Sequence, residues 1–242
     1  AGYGLDTLQV LACLGDLRSD GRTVIALGDV SFGTRGALLL LGVNADLELQ
    51  GININRDAVG PSAGSTASAV LSADFPPAGS GEQFGHSAAV LGCSLAPAAV
   101  SAGDQACSGT SVLVGAPGFV SMPDSTGAVF VLHFNMVGVL TGRLRITAQS
   151  APDGGPMPNA LAFGRSLAAL GDVDDDGVPD FAAATARSGE PWQLLLVFLA
   201  DGTSPDPSNA ATDFTGRISR VMALDAAVPA VARLGASWAP LL

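Results

Sequence analysis

Apolar residues gather in short runs broken by Gly, Pro, Ser and Asp, and no run approaches the roughly 20 residues that a bilayer-crossing helix needs. The longest, such as Ala37 to Val43 and Leu194 to Ala200, have the length of a buried strand and are bounded by turn residues instead of helix caps. Three runs are versions of one another: Leu11-Ala-Cys-Leu-Gly-Asp16, Ala88-Ala-Val-Leu-Gly-Cys93 and Leu167-Ala-Ala-Leu-Gly-Asp172. Their Leu-Gly pairs begin at Leu14, Leu91 and Leu170, spaced 77 and 79 residues apart. So regular a spacing marks an internal repeat.

Each opening run is followed by a loop, a short apolar segment (Val24 to Leu27, Val112 to Ala116, Phe181 to Ala184) and a strongly apolar one. The last are Gly36-Ala-Leu-Leu-Leu-Leu, Gly127-Ala-Val-Phe-Val-Leu and Gln193-Leu-Leu-Leu-Val-Phe. A fourth segment alternates, through Leu47, Leu49, Ile52 and Ile54 in the first unit, Leu144 and Ile146 in the second, and Ile218 and Val221 in the third. Alternation gives one covered and one wet face, as in an outer strand. The connections Val59 to Gln83 and Ser150 to Ala162 are rich in Gly, Ser, Pro and Ala and read as loops.

Four antiparallel strands per unit, buried at the front and exposed at the back, predict an all-β fold of β-propeller blades. A solenoid β-helix would need much shorter repeats and is the lesser alternative. Residues 1–242 thus read as one propeller segment with repeats near 5–80, 81–160 and 161–227, while 228–242, with Val228-Pro-Ala-Val-Ala-Arg-Leu-Gly235, matches the start of another blade. Three repeats cannot close a ring, because the smallest propellers have about four blades. The chain is therefore expected to belong to a longer protein or to close against other chains. It lacks an initiating Met and a charged-then-apolar leader, which fits a mature form or an excised segment.

With 48% hydrophobic and 14% charged residues, the chain can bury a core and is no disordered tail. Its net charge of -11 would repel a phosphate backbone, which excludes nucleic acid as a partner. The acids are 19 Asp and three Glu, and the bases are 11 Arg without a Lys. Asp belongs in turns, caps and metal loops, so this balance favours a loop-rich β protein, though genomic base composition would also remove Lys. Three cysteines, Cys13, Cys93 and Cys107, leave at least one thiol without an intramolecular partner.

Phe84-Gly85-His-Ser-Ala-Ala-Val-Leu-Gly92, followed by Val114-Gly115-Ala116-Pro117, resembles the FG-GAP repeat of integrin α-subunit propellers. So does Phe163-Gly164-Arg-Ser-Leu-Ala-Ala-Leu-Gly-Asp-Val-Asp-Asp-Asp-Gly. Gly127-Ala-Val-Phe-Val-Leu is similar to the integrin-like repeats of secreted microbial and algal proteins. The first unit departs with Thr7-Leu8 for Phe-Gly and Leu27-Gly28-Asp29 near the GAP position, and the third has Ala184-Thr185-Ala186 there. The resemblance implies a calcium loop between the first two strands of a blade.

The sharpest chemical motif is Asp172-Val-Asp174-Asp-Asp176-Gly177-Val-Pro-Asp180. Ca²⁺ takes about six to eight oxygens at roughly 2.3–2.6 Å, which alternate carboxylates on a tight loop can supply. Asp172, Asp174, Asp176, the Val178 carbonyl and Asp180 are the expected ligands. An EF-hand would need an acid at the twelfth position, where Ala183 stands, and flanking helices. The alternative is a solvated acidic turn, in which these four carboxylates and that of Asp175, all within nine residues, repel one another.

The corresponding first-unit loop, Asp16-Leu-Arg18-Ser-Asp20-Gly21, keeps Asp16 and Asp20 as weaker candidates and puts Arg18 at a ligand position. In the second unit Cys93 and Cys107 bracket a 13-residue insertion, which suggests a disulfide worth roughly 3 kcal/mol, against a reading as free thiols. Both that bond and a calcium loop point to an extracellular, oxidising compartment. Cys13 reads as a small buried residue.

No catalytic set emerges. Gly60-Pro-Ser62-Ala-Gly64 fits G-x-S-x-G but lies in a connector, not at a strand-to-helix elbow. His86 and His133 lack zinc or triad spacing, Trp192 and Trp238 are the only tryptophans, and Phe84 and Phe163 read as packing wedges between blades. The expected role is a non-enzymatic, secreted or cell-surface, calcium-binding module for adhesion or for assembling a surface or matrix structure. Its expected partners are a protein or glycan surface ligand, or further blades or chains completing the propeller. The alternative is a non-catalytic propeller module of an extracellular hydrolase such as a phospholipase or polysaccharide-degrading enzyme.

Overall fold

The middle third of the chain contains unbroken apolar stretches, Val112 to Ala116 and Ala128 to Leu132, and strands built on such stretches need cover on both faces. A computed structural model, describing residues 8–16, 21–30, 36–46, 48–50, 67–71, 81–95, 107–122, 125–135, 140–147, 150, 160–187, 190–199 and 218–224, shows how that cover arises. Its strands form three antiparallel sheets. The first contains β1 (Leu8–Gly15), β2 (Thr23–Asp29), β3 (Ala37–Val43), β4 (Leu49–Gln50) and β5 (Ala67–Leu71), in the order β1-β2-β3-β4 with β5 also on β3. The second is β6 (Ser87–Leu95), β7 (Cys107–Met122), β8 (Ser125–Asn135) and β9 (Leu140–Thr147), in chain order. The third contains β10 (Ala160–Leu161), β11 (Leu167–Gly171), β12 (Asp180–Arg187), β13 (Glu190–Leu199) and β14 (Ile218–Leu224), with both β10 and β11 on β12. The fold is all-β, and no helix among the described residues is long and apolar enough to cross a membrane.

Two apolar layers hold the sheets face to face. Val24, Ala26, Leu38 and Leu40 of the first sheet meet Val112, Val114, Phe130 and Leu132 of the second. The intervening positions of the second sheet, Leu113, Val129 and Val131, point the other way and pack against Phe181, Ala183, Leu195 and Val197 of the third. Both faces of β7 and β8 are thus buried, which explains why those strands show no alternation. In the outer strand of the second sheet Leu144 and Ile146 are buried on alternate positions; in that of the third Ile218 and Val221 are buried, three residues apart across an irregularity in the pairing with β13.

A recurring joint sets how the sheets meet. Phe84 and Phe163 are fully buried, one in each apolar layer, and Phe84 stands edge-on to Phe130 with centroids 5.2 Å apart. Each opens its unit with the same turn: Gln83 and Ala162 take positive φ, and the amides of His86 and Arg165 donate to their carbonyls at 3.1 Å. Each also forms a parallel bridge to the preceding sheet, Gly36 to Phe84 and Gly127 to Phe163. Gly36 and Gly127 have φ of 96° and 106°, and a Cβ on either would overlap the phenylalanine backbone, so only glycine fits. In the second joint the Ser87 hydroxyl also donates to the Gly164 carbonyl at 2.7 Å.

Several expectations are corrected. The fourth strand of the first sheet is chiefly β5, pairing Ala37 to Leu41 with Leu71 to Ala67, in a connector that reads as loop. Among the described residues of the alternating segment Leu49 and Gln50 pair with β3, and the Asn44 side chain accepts the amides of Asp46 and Glu48; Leu47, Ile52 and Ile54 lie outside the described residues. The first strands are not buried fronts: Leu11 is 71% exposed and Ala169 to Gly171 are exposed. Each is an edge strand with a neighbour on one side only, and Cys13, on the same face of β1 as Leu11, is an exposed free thiol and not a buried filler. His133, in contrast, is buried, its Nδ1 2.7 Å from the Ser111 hydroxyl.

Phe163→Ala should cost about 3–5 kcal/mol in equilibrium denaturation, whereas Leu170→Ala, at a position 41% exposed, should cost within about 0.5 kcal/mol. His86 gives a pH test. Desolvation, assisted by the Arg165 charge, holds its pKa below 6.5, so the folded state favours neutral imidazole. As pH falls through 6.5 the unfolded chain takes up the proton first, so stability present above that pH declines toward the folded pKa. Melting temperatures between about pH 8 and pH 5 should fall less for His86→Gln than for the wild type.

Candidate metal centre

The Asp-rich segment forms the loop from the end of β11 to the start of β12. Its fold is local and explicable residue by residue. Both oxygens of Asp172 accept amides across the turn, from Asp176 at 3.0 Å and Gly177 at 2.8 Å. Asp176 Oδ1 accepts the Val178 amide at 2.8 Å. Asp175 and Gly177 take positive φ, 58° and 89°, the reversal that a short polar residue and glycine tolerate best. Val178 then drops into the apolar layer between the second and third sheets, 8% exposed, and pins the loop to the core.

This turn brings together Asp172, Asp174 and Asp176, all exposed, with ligand oxygens within 4.8 Å of one another. Two oxygens bound to one Ca²⁺ at about 2.4 Å lie at most about 4.8 Å apart, so the three suit one hard cation. The donors are all carboxylates, with no His or Cys in the group, which disfavours zinc or copper and matches Ca²⁺ chemistry.

Asp180, the fourth expected carboxylate, stands apart from that group and is 1% exposed. Its Oδ2 accepts the Val173 amide at 2.9 Å and its Oδ1 the Leu199 amide at 3.0 Å, so it ties the loop's start to the far end of β13. Burial pushes its pKa above 3.8, the two amides pull it back, and the charges of Asp174 and Asp176 push it up again. A nearby cation would relieve the last of these. The tether to Leu199 is the functional contact that the sequence motif does not disclose; its one signal is an acid placed directly before the apolar run Phe181 to Ala184.

At the ends of the first-unit loop the Gly21 amide donates to Asp16 Oδ2 at 2.8 Å, the counterpart of Gly177 on Asp172. Arg18 and Asp20 lie outside the described residues, as do Trp238 and the segment 228–242. In the second unit the register sets Cys93 opposite Thr110 and Cys107 opposite Leu95; a disulfide between the two cysteines lies outside what is described. No protein-family model matches the chain and no curated protein matches it in sequence, so the chemistry must be argued from these residues.

Asp180→Ala should destabilise the fold by roughly 1–3 kcal/mol for each amide left buried without an acceptor. Denaturation in the presence of chelator reads this, since the tether is independent of any metal.

Proposed function

We propose that this chain is a calcium-stabilised, propeller-type module of an extracellular protein, with a binding or structural role in adhesion or in the assembly of a surface or matrix structure. The observation that carries the proposal is the Asp172, Asp174 and Asp176 group on the loop between β11 and β12, two paired antiparallel strands of the third sheet. The propeller reading is supported by which strands approach one another between the sheets. The first strands approach in succession, β1 against β6 and β6 against β11, while β4, β9 and β14 make no comparable approach among the described residues. It is supported also by the Phe-Gly joint, repeated with the same turn and the same parallel bridge at both interfaces.

In this reading Asp172, Asp174 and Asp176 hold the ion and the Val178 carbonyl adds an oxygen, while Asp180, whose oxygens accept the Val173 and Leu199 amides, fixes the loop beneath it. Calcium neutralises the crowded carboxylates and stiffens the loop; it performs no bond chemistry. The ordinary dissociation constant of extracellular calcium modules is about 0.1–1 mM and suits a site that is filled outside the cell. Partners are then a protein or glycan presented on a surface, met by a rigid scaffold whose loops carry recognition.

The thermal melt tests this. Calcium at about 100 times its dissociation constant adds about 2.7 kcal/mol, which for a chain of this size raises the melting temperature by roughly 5–10 °C. EGTA should remove that increment and Asp174→Ala should abolish the response. Identical melts with calcium and with chelator would contradict the proposal.

A further inference from the structure

The hairpin of β7 and β8 runs on past the body of the second sheet. Ala116 lies opposite Ala128, the register then shifts, and pairing resumes with Val120 opposite Thr126 and Met122 opposite Ser125. The shift steps over Pro117, Gly118 and Phe119 on β7 and over Gly127 alone on β8, a bulge of the kind that redirects a strand. Residues 117–122 and 125–127 thus form an arm that leaves the sheet at its own angle.

Each strand of the arm holds a different joint. On β7 the Gly118 amide donates to the Glu82 carbonyl at 3.0 Å, and a Cβ on Gly118 would overlap the Gly81 carbonyl oxygen, so the arm lies against the chain that leads into Phe84. Beside it Phe119 enters the first apolar layer edge-on to Phe130, with centroids 6.3 Å apart, and Phe130 in turn stands edge-on to Phe84. The Arg145 guanidinium, from β9, lies 5.0 Å over the Phe119 ring. On β8 the Thr126 hydroxyl accepts the Ala162 amide at 2.9 Å, its carbonyl accepts the Phe163 amide at 3.2 Å, and Gly127 makes the bridge to Phe163. A second, direct route also links the joints: Gly85 and His86 donate to the Gly115 carbonyl, while the Ser87 hydroxyl donates to that of Gly164.

We propose that this arm is a clasp that makes the two Phe-Gly joints open and close as one unit. Coupling between two sites needs a single element that both hold in the same arrangement. The arm is that element, because lifting it from the Glu82 carbonyl also pulls on the Thr126 contacts with Ala162 and Phe163. Local opening then takes in the arm and both entry turns before the sheets themselves part, a cooperative piece below the level of global unfolding. Whatever lifts the arm thereby loosens the second sheet on both faces at once. The inference rests on contacts at the two joints and stands whether or not the Asp-rich loop binds calcium.

Amide hydrogen exchange of the full chain, read separately at each joint, tests this. Thr126→Val keeps the side chain's shape and removes the acceptor of the Ala162 amide. Exchange should quicken about 5- to 30-fold, the effect of losing one buried bond, at Phe163 and Arg165 and to a similar extent at Gly85 and His86 across the arm. Leu196 and Met222, in the β13–β14 pairing, should keep wild-type rates. Gly118→Ala, which forces the arm off Gly81, should give the same pattern from the other side; if that variant does not fold, Thr126→Val decides. Ser87→Ala removes the direct contact between the entry turns, and in that background Thr126→Val should still quicken exchange at both joints. Faster exchange confined to Phe163 and Arg165, an equal rise at Leu196 and Met222, or a spread that vanishes with Ser87→Ala overturns the proposal.

Discussion

The contact on which the structure depends is the approach of one backbone to another at the sheet junctions. At Gly36 and again at Gly127 the chain passes so near the following unit's phenylalanine that no side chain fits between them. Glycine supplies the space and the positive φ, and the buried phenyl ring supplies the apolar area that makes the approach favourable. Neither works alone: a ring without the glycine is held off, and a glycine without the ring leaves backbone facing backbone with little to bind them. Together they set how the second sheet is clasped on both faces.

The same junction governs the Asp-rich loop, because β11 begins a few residues after Phe163 and ends where the loop starts. Within the loop the labour is divided. Asp172 and Gly177 make the turn, Val178 and Asp180 fasten it to the core and to β13, and the carboxylates left crowded at the surface are what a cation would gather. The first unit bears this out by contrast. The Gly21 amide makes the same bond to Asp16 with fewer acids nearby in sequence, so that bond does not depend on a full ligand set.

Much of this was legible in the sequence, for a physical reason: unbroken apolar strands such as Ala128 to Leu132 can only sit between two other layers. The Leu-Gly repeat placed the units, and the Asp spacing placed the turn. What escaped was partner choice. Leu47 to Ile54 alternates like a strand, yet the place beside most of β3 is taken by Ala67–Leu71, whose Ala-Ser-Ala-Val-Leu composition resembles the loops around it. Periodicity reports a covered face without saying what covers it, so Leu11 and Cys13 read as buried although β1 is an edge. The joint glycines were visible as strand boundaries, but their function lies in contacts with residues 36 and 48 positions further on.

The most direct test of calcium recognition is isothermal titration of the chelator-treated chain with calcium chloride. The geometry predicts saturable binding with one ion per chain at the third-unit loop and none in a chain lacking the Asp172 and Asp176 carboxylates. Absence of binding at millimolar calcium, or binding that survives loss of those carboxylates, would contradict it.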